Sequence, residues 1–535
     1  MTSISGQLVD VHEERIYPAR VTFGKKIERI EKISSAPKTY LAPGFVDGHI
    51  HIESSMLIPS EFARLAIRHG TIGVVADPHE IANVLGVPGV LFMIRNARRT
   101  PMKFYFGASP CVPATDFETA GAELGPDETG RLLRLKDVTH LSEVMNYPAV
   151  IAREKSIMAK IALAKKYNKR VDGHAPGLRG HALGKYLSAG IETDHECFML
   201  EEAMEKARKG MKILVREGSA AKNLAELHPL LRTEMGLLCS DDKHPDDLIA
   251  GHLDATMAKA VSLGIHPIQA ISAATKRVVE HYRLGAGLLR EGDAADIAVL
   301  GDLRRFSVKQ TWINGKLVFN GKKASSPRIR EKPINNFGAT TKKPGDFAGT
   351  GGTGTIAIEA IDGEIVTNKV SVDHAPDMKK DVLKIAVVNR YRDAPPAIGF
   401  IKGFGIRRGA FGSSVMHDSH NIGIVGTDDA SICTAANSII KMKGGLAVFD
   451  GRSMHSLPLP FAGLMSGEDG FRVGKRYGAL TEKVRRMGCR MHSPFMTLSF
   501  MALLVIPHIK LSDKGLFDGD RFRLIPSARW QTKTF

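Results

Sequence analysis

Two imidazoles one residue apart close a short apolar run in the stretch 43–55, PGFVDGHIHIESS. In an extended strand residues i and i+2 face the same side, so the rings of His49 and His51 reach one point in space. Alone the pair is a weak signal, because any His-bearing strand can carry that spacing by accident. Here further donors follow: Glu143 in HLSEVMN, His174 in VDGHAPG, His195 in ETDHE and Asp241 in LLCSDDK. Each ends a run that reads as a short strand. Imidazole and carboxylate suit a borderline divalent cation, and these six residues allow two metal ions to share a bridging carboxylate and a bridging water.

Across 41–284 strand-like runs alternate with helical ones. Strands are expected at 45–49, 71–77, 103–108, 138–143, 170–174, 191–195, 212–216 and 236–241, with helices between them such as 59–68 and 153–167. In the second helix Ile157, Ile161 and Ala164 form one apolar stripe. Eight strands alternating with helices in about 240 residues match a (β/α)8 barrel, so the fold class is α/β with a TIM-like barrel. In that fold the groups that do chemistry sit at the C-terminal ends of strands. All six candidate ligands obey the rule, from strands one, four, five, six and eight.

The flanks read differently. Residues 1–40 alternate apolar and polar, and the pattern returns in DIAVL at 296–300 and KQTWINGKLVF at 309–319, where Asn314-Gly315 signals a tight hairpin. Segments 1–40 and 285–325 are therefore expected to pair into one composite small β-sandwich. The stretch 326–355, rich in Lys, Pro, Gly and Thr, reads as a linker. Beyond it 356–535 reads as an additional C-terminal α+β domain, with strand candidates IAIEAI, KIAVVN and NIGIVGT and a helix near 430–442. Its polar cluster HDSHN, from His417 to Asn421, suits loop hydrogen bonding and a site equally.

Composition narrows the class. Among 535 residues, 43% hydrophobic and 24% charged is the balance of a globular protein. The longest apolar run near the C-terminus falls well short of the roughly 20 residues a spanning helix requires, so no membrane partner is expected. The opening residues lack a basic-then-apolar leader, and the five cysteines are scattered without a C-x-x-C pair. Both features point to a reducing, cytoplasmic location. The net charge of +17 raises the question of a polyanion partner. Yet Glu interleaves with Lys and Arg as on solvated helix faces, and no aromatic-plus-basic platform accompanies them, so no nucleic acid is expected.

At this point the chain resembles the amidohydrolase superfamily over residues 1 to about 320, on PGFVDGHIH, the His174, His195 and Asp241 strands and the closing LGAGLLREGDAADIAVL. More narrowly it resembles the adenine deaminase family, on HIESS, ADPHEIANVLG at 76–86, SEVMN, DGHAPGL, TDHE, SDDK and HDSHNIGIVGTDD at 417–429. Related hydrolases bridge their ions with a carboxylated lysine, whereas the corresponding strand here ends in Glu143. The resemblance implies two divalent ions, manganese or iron ahead of zinc, held by His49, His51, Glu143, His174, His195 and Asp241. It further implies attack of a bridging hydroxide on C6 of adenine, with Asp241 carrying the proton to the departing amine. His79, Glu80 and Asp242 are the candidates for the purine edge, with Glu53 expected at the barrel mouth. A homo-oligomer is expected. The competing readings are an amidohydrolase for another aminopurine or a cyclic amide, and a basic binding protein on a degenerate barrel.

Overall fold

The structure, a computed structural model, describes residues 1–526. Residues 527–535 of the expected C-terminal domain lie outside the described residues.

Five parallel strands run side by side: Phe45–His51, Thr71–Ala76, Lys103–Ala108, Val138–Val144 and Arg170–Gly173. A second parallel group follows, Thr193–Asp194, Lys212–Arg216 and Gly236–Cys239. Asp241–Asp242 then pairs with Ile50 and His51 of the first strand, which closes the ring of eight. Val, Ile and Leu fill these strands because helices cover the outside and packed side chains fill the inside. The sixth strand is shorter than the expected 191–195. Asp194 turns its carboxylate onto the N–H groups of Ala175 and Glu196, and those bonds replace ladder pairing there. Among the intervening helices, Lys155–Lys166 buries Ile157, Ile161 and Ala164 against the barrel, the stripe its periodicity announces.

The N-terminal and post-barrel strands form one seven-stranded sheet. Tyr40–Pro43 pairs with Thr2–Asp10 on one side and Ile297–Leu300 on the other, so segments almost 300 residues apart become neighbours. Leu8, Val21, Phe23, Leu41 and Ile297 supply its apolar core.

The C-terminal part builds a mixed eight-stranded sheet, in spatial order Thr367–Val372, Thr355–Ala360, Ala397–Lys402, Val382–Val388, Ile422–Gly426, Ala410–Ser413, Gly445–Phe449 and Met454–Pro458. Helix Asp429–Met442 covers one face through Ile432, Ala435, Ala436 and Ile439, and Asp428 caps it by accepting the Ser431 N–H at 2.8 Å. Other buried residues of this part, Ile365, Leu446 and Phe461 among them, belong to the same apolar cluster as the barrel residues Phe45 and Phe62. Helix Gly470–Arg486 lies against Pro245–Ala250, the helix that follows the last barrel strand. The expected linker is pinned at several points. Asn336 bonds the carbonyls of Val84 and Gly121, and Phe347 is buried in the C-terminal core. Among the described residues no helix is long and apolar enough to cross a membrane.

Candidate functional site

Strands one and eight are locked together where the donors emerge. Asp47 accepts the N–H of Ser240 at 3.0 Å and its hydroxyl at 2.6 Å, and His252 Nε2 stands 2.9 Å from the same carboxylate. Gly48, next to Asp47, leaves no room for a side chain, since a Cβ there would meet Leu238 O at 2.9 Å. Clamped in this way, the eighth strand breaks at Ser240 and Asp241 takes a left-handed φ of 56°. A non-glycine residue holds that conformation only where its surroundings over-determine it, and such positions concentrate at functional sites.

All six expected donors are buried at the barrel mouth; His51, Glu143, His174, His195 and Asp241 line the cavity, and His49 packs directly behind them, with Nε2 3.1 Å from His51 Nε2. Glu143 stands between two pairs of imidazoles. Its Oε1 faces His51 Nε2 at 3.3 Å and His49 Nε2 at 3.9 Å, while its Oε2 faces His174 Nδ1 at 2.6 Å and His195 Nε2 at 3.3 Å. Asp241 Oδ1 lies 3.1 Å from His51 Nε2 and 3.6 Å from His49 Nε2. The carbonyl of Asp77, 3.3 Å from His51 Nδ1, accepts that ring's proton and leaves Nε2 free for the centre.

Electrostatics follows from the crowding. Burial works to raise the Glu143 carboxyl, but His195, His174 and His51 hold it well below the usual carboxylate range. Asp241 is likewise held low against burial, by His51 and the Arg216 guanidinium. Burial, with His195 and His51 beside it, pushes His49 well down, so this ring stays neutral and its lone pair available.

The set fits metal ions. Atoms bound at 2.0–2.2 Å to one tetrahedral ion stand about 3.4 Å apart, and the donors here lie 2.6 to 3.9 Å from one another. The Nε2 atoms of His49 and His51 approach to 3.1 Å, a spacing natural for two lone pairs aimed at a common cation. Such an ion demands neutral imidazole and ionised carboxylate. Glu143, Asp241 and His49 are held in those forms, while the facing carboxylates push His51 well up and His195 up to about 9, protons that a bound cation would displace.

Around this floor lie residues the sequence ranked lower or missed. His79 Nδ1 lies 3.3 Å from Glu143 Oε1 and 3.2 Å from Asp77 Oδ2, and its Nε2 lies 3.2 Å from Glu80 Oε1. Glu80 borders the cavity but turns both oxygens onto His417 and His420 of the C-terminal part. Asp242 lines the cavity with Oδ1 held by the Ser54 hydroxyl. Glu53 is buried and does not line the cavity: its Oε1 accepts the Ile81 N–H at 3.2 Å, which ties it under helix His79–Leu85 instead of at the mouth. Sequence reading missed Arg216, which binds Glu196 through both terminal guanidinium nitrogens and Asp241 Oδ2 at 2.8 Å. Arg216 ends the seventh strand, so the strand-end rule extended to every strand finds it. Of the roof, from Ile365, His417, Asp418, Phe500 and Leu503, only His417 and Asp418 stood out in sequence, within the HDSHN cluster, and nothing there indicated that they reach the barrel mouth.

Comparison with known proteins agrees with this geometry. Residues 40–318 match the amidohydrolase family and residues 360–523 match the adenine deaminase C-terminal domain. A protein of Sulfurovum sp. (strain NBC37-1) named adenine deaminase is 53% identical over 97% of this chain and 98% of its own length. One of the same name from Salinibacter ruber is 49% identical over 98% of each. Another from Borreliella burgdorferi is 45% identical over 97% of this chain and 98% of its own.

Proposed function

The chain belongs to the adenine deaminase family of amidohydrolases, and from that premise we propose that it hydrolyses adenine to hypoxanthine and ammonia. The observation that carries the reading is a buried cluster of four imidazoles and two carboxylates at the floor of a cavity, in a chain alike over 97–98% of its length to relatives named for that activity.

We assign His49, His51, Glu143, His174, His195 and Asp241 to two divalent ions with Glu143 between them, manganese or iron ahead of zinc. The division of Glu143 Oε1 and Oε2 between opposite histidine pairs supports the bridge. A donor set of imidazole and carboxylate without thiolate supports a metal of intermediate hardness. When bound, the ions supply Lewis acidity that lowers the pKa of water toward neutrality.

The remaining work belongs to the side chains. Arg216 occupies Asp241 Oδ2 and leaves Oδ1 turned toward His49 and His51. As water adds to C6, one of its protons passes to ring N1. Asp241 Oδ1 then carries the other from the new C6 oxygen to the amino nitrogen. The C6–N bond breaks, ammonia leaves, and the C6 carbonyl of hypoxanthine remains. His79, Glu80 and Asp242 border the space for the purine, with Glu80 acting through the imidazoles it holds. The five cysteines are free and buried, which supports a reducing, cytoplasmic setting.

A substrate panel tests the proposal. Enzyme loaded with manganese or iron should release ammonia from adenine with a higher kcat/KM than from adenosine, cytosine or dihydroorotate. Equal or better turnover of adenosine, or activity confined to a cyclic amide, would overturn the adenine assignment.

A further inference from the structure

The roof of the cavity carries polar atoms that are held in place yet unused. His417 Nδ1 lies 2.5 Å from Glu80 Oε1, and Phe500 backs the ring with centroids 5.1 Å apart and planes 24° from parallel. His420 completes the clamp. Its Nδ1 accepts the Met416 N–H at 3.2 Å, so its Nε2 proton goes to Glu80 Oε2. With both Glu80 oxygens filled, the His417 ring is fixed with Nε2 toward the cavity it lines. That Nε2 is buried without a hydrogen-bond partner. The adjacent Asp418 also lines the cavity, with Oδ1 3.7 Å from His79 Nε2 and Oδ2 buried without a hydrogen-bond partner. Asp242 Oδ1 stands 3.9 Å from the Nε2, beyond bonding range. A buried polar atom left unmet carries its desolvation cost, so a ligand able to pair with these atoms is favoured.

We propose that His417 and Asp418 read the edge of adenine opposite the reacting carbon, His417 Nε2–H donating to N3 and Asp418 Oδ2 accepting from N9–H. The inference rests on the adenine reading and adds the substrate contacts that the C-terminal part supplies. Its logic is geometric. C6 must face the donor floor, and N3 lies directly across the six-membered ring from C6, with N9 beside it. That edge therefore faces the roof. N3 is an acceptor and N9–H a donor, the complement of an imidazole N–H beside a carboxylate oxygen. Burial works against the His417 imidazolium, but Glu80 and Asp242 hold its pKa up to about 9, so Nε2 keeps its proton at neutral pH. N9–H exists only in the free base, because a ribose replaces that hydrogen. The same pair would thus select adenine over adenosine by an unmet carboxylate as well as by bulk.

The test crosses variants with analogues on the metal-loaded, full-length enzyme. His417→Phe keeps a ring against Phe500 and removes the donor; Asp418→Ala removes the acceptor. 3-Deazaadenine lacks the N3 acceptor, and 9-methyladenine lacks the N9 proton. Wild type should prefer adenine to each analogue by about 10⁴-fold in kcat/KM, the scale for a site built to hydrogen-bond its substrate. His417→Phe should lose most of its adenine activity and treat adenine and 3-deazaadenine within about threefold of each other, still rejecting 9-methyladenine. Asp418→Ala should show the mirror pattern. Metal content and thermal unfolding report whether the variants fold, and if one does not, the wild-type analogue ratios decide. Wild type that accepts both analogues as readily as adenine, or folded variants with unchanged discrimination, would overturn the inference while leaving adenine deamination standing. Wild type that releases no ammonia from adenine would overturn both.

Discussion

Glu143 is buried and meets imidazoles at both oxygens, which is why its carboxyl is held low although burial pushes it upward. A glutamine in its place keeps the shape but loses the charge and one acceptor oxygen. Glu143→Gln should therefore lower metal affinity by about 10- to 100-fold, with activity falling in step. Full metal content and full turnover in that variant would refute the bridging role. Asp241→Asn tests a different quantity. Asparagine can still offer a carbonyl oxygen to a cation but cannot carry a proton, so turnover should drop by about 10²- to 10⁴-fold while more metal remains than in Glu143→Gln. Near-normal turnover in the metal-replete protein would move the proton role to Asp242. Arg216 contributes through stability. Removing its buried guanidinium leaves Glu196 and Asp241 Oδ2 without the partner they share, a loss of about 3–5 kcal/mol. Arg216→Met should melt at a distinctly lower temperature than wild type, and an unchanged melting curve would mean that the carboxylates find another partner.

Elements were legible wherever one local pattern dominates. The Ile157, Ile161, Ala164 stripe, the alternation in 2–23 and the apolar runs of the barrel each encode their own element within a few residues. The strand-end rule then placed the six donors without knowledge of any distance. It failed where side chains replace backbone pairing. Asp194 shortens the sixth strand, and the Asp47–Ser240 clamp turns Asp241 out of the eighth; neither leaves a periodic trace. Long-range docking was equally silent, since His417 meets Glu80 across 337 positions of sequence. HDSHN was visible as a polar cluster, but where it would land was not. Helix docking follows the same logic at Gly474. There a Cβ would come within 2.4 Å of Ile249 Cδ1 and 3.1 Å of the Pro245 carbonyl, so glycine lets helix Gly470–Arg486 approach the helix behind Asp241 and Asp242. Tyr477 on the same helix bonds His244, which shows how close that approach is. Gly474→Leu should overpack the contact at a cost of about 1–3 kcal/mol, read as a lower melting temperature. Wild-type stability would mean that the two helices can separate without penalty.

The whole chain behaves in this structure as parts that share an interior. One apolar cluster runs from Phe45 of the first barrel strand to Phe461 and Leu516 of the C-terminal part, and the candidate cavity is walled by both. The segment 326–355, read from sequence as a linker, lies along the protein as a strap. Arg328 pairs with Glu61 at 3.3 Å, Gly338 donates to the Arg390 carbonyl at 2.7 Å, and Phe347 is fully buried. Arg390 is the matching anchor, binding Asn335 of the strap and the carbonyls of Ala462 and His420 from inside the protein. Its position next to His420 links the strap to the clamp that holds Glu80. Two consequences follow for proteolysis. Cleavage by trypsin should begin at Lys322, Lys323, Arg328 or Arg330, whose side chains are exposed, because chain without helix or sheet pairing is cut first. The nicked halves should nevertheless stay together, since the area between them is core and not solvent-separated surface. Nicked protein should elute from a sizing column at the position of intact chain, retain its bound metal, and separate into two pieces only in denaturant. Halves that part in native buffer, with the barrel piece keeping both its metal and its adenine turnover, would show that the C-terminal part is an independent appendage and not a wall of the site.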